Sequence, residues 1–163
     1  MAYAINPIST EDGEAILGIF NHYVENTFAA YPDTKLPCHA FDTLLALADG
    51  LPTGTLKDRN GRVVGFGMLQ PHHPLPTFSR IAEVTCFLHP AYTARGLGKT
   101  LLAYLENKAK ERGVTSILAC ISSLNPGSID FHRKNGFVEC GKFIKVVEKM
   151  GLAFDTVWMQ KMI

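Results

Sequence analysis

The residues with the clearest chemical potential lie in Arg95-Gly96-Leu97-Gly98-Lys99-Thr100, between an apolar run and an amphipathic one. Gly96 and Gly98 let the backbone turn sharply and approach a ligand. Successive N–H groups and a helix N-terminus can then cradle phosphate oxygens, with Arg95 and Lys99 adding positive charge. The spacing fits neither a nucleotide P-loop nor a dinucleotide fingerprint, which leaves a pyrophosphate or a plain glycine turn. Glu83 is a carboxylate at the start of a β-branched, apolar run and can accept a proton. The four cysteines, Cys38, Cys86, Cys120 and Cys140, form no CxxC pair and read as reduced core residues. His22, His39, His72, His73 and His89 show no ligand spacing with a cysteine or carboxylate, so no metal site is expected.

These groups need a scaffold, and 163 residues with 47% hydrophobic and 19% charged content are enough for one folded domain spanning residues 1–163. Sixteen basic against fifteen acidic side chains leave a net charge of +1, which gives no bulk attraction for nucleic acid or an anionic membrane. The opening MAYAINPISTEDGEA has neither a basic start nor an uninterrupted apolar stretch. No later segment reaches the ~20 apolar residues of a membrane helix, and a cytoplasmic protein is expected.

Tyr3 to Ile8 reads as a strand, and Ser9-x-x-Asp12 as the cap of a helix carrying Ala15, Ile16, Ile19, Phe20, Tyr23 and Val24 on one face. A second helix spans Phe41 to Ala48. Gly54 to Lys57 and Val63 to Leu69 flank Asn60-Gly61, a hairpin signal. Ile81 to Leu88 is a buried strand, Leu97 to Ala109 a helix stopped by Gly113, and Ser116 to Ile121 another strand. A short helix over Asn125 to Asn135 precedes strands at Val138 to Val147 and Phe154 to Gln160. The order βααβββαβαββ predicts a mixed α/β fold, with a twisted mixed sheet flanked by helices on both faces. Alternation along the strand puts Glu83 on one face with Thr85 and Phe87, and Val84, Cys86 and Leu88 on the other.

Two segments together carry a family resemblance. Arg95-Gly96-Leu97-Gly98 after a strand resembles the CoA-pyrophosphate loop of the GNAT superfamily, [QR]-x-x-G-x-[GA], with Thr93 departing from its first position. Asn125 to Phe137 resembles the downstream N-x-x-[AS]-x-x-[FL]-[YH]-x-x-x-G-[FY] segment. The runs Ala15 to Thr27 and Asp155 to Lys161 are similar to phosphinothricin acetyltransferases. The resemblance implies the GNAT fold, acetyl-CoA as co-substrate, a small-molecule primary amine as acceptor and a homodimer. Phosphinothricin and methionine sulfoximine are acceptors in that group.

Residue by residue, the resemblance implies pyrophosphate binding by Arg95, Gly96, Leu97, Gly98, Lys99 and Thr100, and pantetheine contacts by Asn125 and Ser128. It implies a general base at Glu83, and backbone donors near Phe87 and Leu88 for the acyl and pantetheine carbonyls. His132 stands where many family members carry a tyrosine acid and is either the acid for the departing thiolate or a packed helix histidine. The proline-rich stretch Pro71 to Arg80 and the tail Lys149 to Asp155 depart from the group where the acceptor pocket is built. A CoA-binding regulatory module and a peptide or protein N-acetyltransferase are the alternative readings.

Overall fold

The computed structural model describes residues 3–163. Seven strands form one sheet in the order β1-β2-β3-β4-β5-β7-β6. They are β1 (Tyr3–Asn6), β2 (Thr53–Asp58), β3 (Val63–Pro71), β4 (Ile81–Leu88), β5 (Ser116–Ser122), β6 (Val138–Lys149) and β7 (Leu152–Met162). The helices are α1 (Gly13–Asn26), α2 (Phe41–Ala46), α3 (Leu97–Glu111) and α4 (Pro126–Lys134), so the expected order of elements holds.

Local signals act where they stand. Asp12 Oδ2 accepts from the Ser9 N–H at 2.9 Å and leads a short 3₁₀ turn into α1. Between β2 and β3, Asp58 Oδ1 accepts from Asn60 N–H and Arg62 N–H, and Gly61 takes φ +79°. Pro7 follows β1, which is shorter than expected, whereas β6 and β7 extend beyond their expected ends. Cys38 and Cys140 are exposed, contrary to a core reading; their short local context carries no information about which face they reach.

The helices cover both faces. Under α3, Leu102, Leu105 and Ala109 pack with Leu69, Ala82, Ile117, Ala119, Ile121, Phe137, Val157 and Met159. On the other face, Ile16, Ile19, Phe20 and Val24 of α1 pack on Phe66, with Phe87 alongside. Close approach of α3 depends on missing side chains: a Cβ on Gly67 would stand 2.8 Å from Cys86 Sγ and from Leu105 Cδ1. Among the described residues no helix is long and apolar enough to cross a membrane.

Candidate active site

The sheet is continuous except at its centre. The parallel ladder joining β4 to β5 has three rungs, Ile81–Ser116, Ala82–Ile117 and Glu83–Leu118. By contrast β4 pairs with β3 from Ala82 to Leu88, and β5 pairs with β7 over its whole length. Past Glu83, therefore, β4 and β5 each stay attached to an outer neighbour while they part from each other.

Hydrogen-bond parity says which backbone groups line the opening. The His89 N–H donates to Val64 O, and the Leu69 N–H to Pro52 O. Antiparallel ladders alternate, so Glu83, Thr85 and Phe87 turn their amides toward β3, while Val84, Cys86 and Leu88 turn theirs toward β5. On β5 the Ser123 N–H donates to Asp155 O, which leaves Cys120 directed at the opening. Two phenols cover carbonyls there: the Tyr23 hydroxyl donates to Leu88 O at 2.6 Å and the Tyr31 hydroxyl to Cys120 O at 3.2 Å. On β4 the donors facing the opening are thus the N–H groups of Cys86 and Leu88.

This corrects the expectation for Phe87. Its amide lies in the β3 ladder opposite Phe66, and its ring packs 5.3 Å from Phe20 and 5.1 Å from Tyr23. A one-residue change of register exchanges the two sets of amides, and register is not written in the strand itself. The Leu88 N–H turns toward the opening.

At the far end of the opening the chain turns through His89 to Gly96 into α3. Ala94 and Gly96 take left-handed φ of +59° and +77°. Gly96 is the N-cap and brings no side chain to the first turn, where helical geometry leaves the N–H groups of Leu97, Gly98 and Lys99 without intrahelical partners. Arg95 buttresses the loop, with Nη2 donating to Ala91 O at 2.9 Å and the guanidinium 5.1 Å above the Tyr92 ring. Thr100 Oγ1 donates to Gly96 O at 3.3 Å.

The downstream segment meets this loop across the opening. A Cβ on Gly98 would stand 3.2 Å from the Phe131 ring of α4 and 3.7 Å from Leu88, so the two glycine-bearing and asparagine-bearing segments converge. Asn125 caps α4, its Oδ1 accepting from the Ser128 N–H at 3.2 Å. His132 Nδ1 lies 2.8 Å from the Ser128 carbonyl, which can only accept, so Nδ1 carries the proton. Burial pushes the His132 pKa down, with that backbone hydrogen bond opposing. The ring sits edge-on between Phe131 and Phe137.

Glu83 occupies the last rung before the strands part. Its Oε1 lies 2.7 Å from His72 Nδ1, and Gln70, its partner across the β3 ladder, donates to Oε2 at 3.4 Å. The His72 ring meets Phe78 and Trp158 at 6.3 and 6.2 Å. Cys120 stands on the same face. Burial raises its thiol, the Tyr31 hydrogen bond opposes, and the Glu83 charge adds to the rise. Cys86, against Gly67 under α3, is pushed up to about 12, first by burial and then by the Glu106 charge, and is a poor nucleophile.

Sequence reasoning did not single out Gln70, His72 or Trp158 for this site. Around this carboxylate, the Tyr31 hydroxyl bonds Cys120 O, Phe78 meets the His72 ring, His73 lies 4.5 Å from the Phe78 ring in a tilted contact, and Phe28 packs farther off on Phe154. The Arg80 carbonyl accepts from Thr115 and Ser116, and its side chain is exposed. No group of three or more His, Cys, Asp or Glu able to hold a metal ion occurs among the described residues.

Residues 16–137 match the Acetyltransferase (GNAT) family. An L-methionine sulfoximine/L-methionine sulfone acetyltransferase of Pseudomonas aeruginosa is 30% identical over 98% of this chain and 94% of its own length. Two solved structures superpose closely. A ribosomal-protein-alanine N-acetyltransferase from Brucella melitensis has a TM-score of 0.91 and 34% identity, covering 98% of this chain and 99% of that one. A phosphinothricin acetyltransferase from Sinorhizobium meliloti in complex with acetyl-CoA has a TM-score of 0.93 and 25% identity, covering 100% of this chain and 89% of that one.

Proposed function

We propose that this chain, which belongs to the GNAT acetyltransferase family and is an N-acetyltransferase, acetylates the primary amine of an amino acid or amino-acid analogue by direct attack on acetyl-CoA. The observation that carries the reading is the parting of β4 and β5, with a carboxylate on its last rung and an anion-binding turn at its far end. The acceptor class draws on the methionine sulfoximine and phosphinothricin enzymes to which the chain is similar.

Acetyl-CoA supplies an activated acetyl thioester. For its pyrophosphate the chain offers the N–H groups of Leu97, Gly98 and Lys99 in a turn shaped by Gly96, with positive charge from Lys99 and Arg95 and the Thr100 hydroxyl beside it. The Cys86 and Leu88 N–H groups, fixed at a strand edge, suit the acyl and pantetheine carbonyls and polarise the former. Asn125, whose N–H donates to Ser122 O at the end of β5, and Ser128 in the first turn of α4 are assigned to the pantetheine arm. Glu83 supplies the carboxylate that serves removal of the proton the amine must lose; an α-ammonium titrates near ~8, so the demand on the base is modest. His132, neutral and tied to Ser128 O, is better suited to holding the first turn of α4 than to delivering a proton.

We also assign the protein to the cytoplasm as a homodimer acting without nucleic acid or membrane. The free cysteines and near-zero net charge support the setting. The edge strand β6 supports the dimer: it has one sheet neighbour, and Val138, Phe143, Ile144, Val146, Met150 and Leu152 in the β6–β7 hairpin are exposed. Light scattering at the mass of one chain would remove that assignment.

The test is acceptor-dependent thiol release from acetyl-CoA with amino acids, methionine sulfoximine, phosphinothricin and alanine-initiated peptides. The peptides answer the likeness to the Brucella enzyme. Glu83→Gln should lower turnover about 10²- to 10⁴-fold while acetyl-CoA affinity is kept. Undiminished turnover in that variant would remove Glu83 from the base role.

A further inference from the structure

We propose that the proton acceptor is a Glu83–His72 dyad in which the acceptor amine gives its proton to His72 Nε2 and the Glu83 carboxylate orients and balances the ring. The inference rests on the assignment of Glu83 above. It starts from the 2.7 Å contact between Glu83 Oε1 and His72 Nδ1. A carboxylate can only accept, so Nδ1 carries the proton and Nε2 keeps its lone pair. The ring is also the more accessible of the two groups, 34% exposed against 20% for Glu83.

The remaining contacts hold the pair in place. Gln70 Nε2 donates to the other carboxylate oxygen from the neighbouring strand. Trp158 and Phe78 bracket the imidazole with an edge and a tilted contact, and His73 lies against the Phe78 ring in a tilted contact. From β5 and the loop after α1, the titratable groups on this face are the Cys120 thiol and the Tyr31 hydroxyl, hydrogen-bonded together and both raised by burial, so neither competes for the proton. Imidazole is the side chain whose ordinary titration is nearest neutrality, which suits it to take and return a proton each turnover.

In the step itself the neutral amine nitrogen attacks the thioester carbonyl carbon. The N–C bond forms, the C–S bond breaks and sulfur leaves with the electron pair as thiolate. The surplus proton on nitrogen passes to Nε2, the imidazolium shares its Nδ1–H with Glu83, and the Nε2 proton returns to water as the thiolate takes one up. This is the division of labour of an acid-oriented histidine in acyl transfer.

The discriminating variant is His72→Asn, whose amide can donate to Glu83 Oε1 in place of Nδ1–H but which has no proton-accepting nitrogen. Both His72→Asn and His72→Ala should lose about 10²- to 10⁴-fold in kcat with the KM for acetyl-CoA within about twofold of the parent. Added imidazole should restore part of the His72→Ala rate. Parental kcat in His72→Asn with an inactive Glu83→Gln would overturn the dyad and leave Glu83 as sole base; parental rates in both would overturn both assignments. Nitrogen-15 NMR of the unmodified protein gives a reading independent of any acceptor. The proton should be on Nδ1 of His72, and an Nε2–H tautomer would refute the proposal.

Discussion

Lys149→Met should weaken the protein and its hold on the acceptor together. Lys149 is 2% exposed at the end of β6, and its ammonium donates to the carbonyls of Thr27 at 2.8 Å and Ala30 at 2.7 Å. Burial pushes its pKa down, with the Asp33 charge opposing. Hydrogen bonds from a charged donor contribute about 1.5–3 kcal/mol each, so the pair is worth about 3–6 kcal/mol gross. Methionine keeps most of the apolar stem and removes the cost of burying a charge, which returns part of that sum and leaves a net loss of about 2–4 kcal/mol. At about 2–4 °C per kcal/mol for a chain of this size, Tm should fall by roughly 5–15 °C. The urea midpoint should drop with an unchanged slope. The segment from Thr27 to Ala30 leads directly into Tyr31, whose hydroxyl covers Cys120 O at the opening, so the KM for the amine should rise more than that for acetyl-CoA. A loss of unfolding free energy below about 0.5 kcal/mol would refute the energetic reasoning, which treats both hydrogen bonds as desolvated. A KM increase confined to acetyl-CoA would refute the positional one.

Two further outcomes are expected. Gly67→Ala should cost about 1–3 kcal/mol in chemical denaturation, because its new Cβ meets Cys86 and Leu105 at 2.8 Å; Gly18→Ala, in α1 with nothing within 4 Å, should be neutral or stabilising. If both behave alike, close approach of α3 is not what requires Gly67. His132 should impose an acid limb on stability: its folded pKa lies below the unfolded value, so on acidification the unfolded chain takes up a proton first and native stability falls until the folded pKa is passed. Unfolding free energies measured from about pH 7 to about pH 5 should show this slope in the parent and a shallower one in His132→Gln, whereas identical slopes would assign the limb to other groups.

What could be read from the residues alone depended on distance along the chain. The Asp58–Arg62 hairpin and the Ser9–Asp12 cap involve groups within four positions of each other, and each stands as expected. The glycine turn before α3 was legible for the same reason. Where β4 and β5 stop pairing was not, because that point depends on how α3 and α4 pack between strands 28 or more residues apart. Parity followed it, which is why Phe87 was expected at the opening and Cys86 was not. His72 precedes Glu83 by 11 positions, and only the ladder placing Gln70 opposite Glu83 brings the next loop back over the carboxylate. The apolar residues of β6 read simply as a strand; composition does not distinguish one buried in its own fold from one presented outward.

The short β4–β5 ladder also bears on how the molecule holds together. Three rungs join a four-stranded half, β1 to β4, to a three-stranded half, β5, β7 and β6, and the rest of that junction relies on α3 and α4 leaning across it. A molecule seated between the halves would touch both edges and act as a staple across the weakest line in the sheet. Part of its binding free energy would then appear as cooperativity between two units that otherwise open more independently. The co-substrate would be, for as long as it stays, a structural member of the sheet.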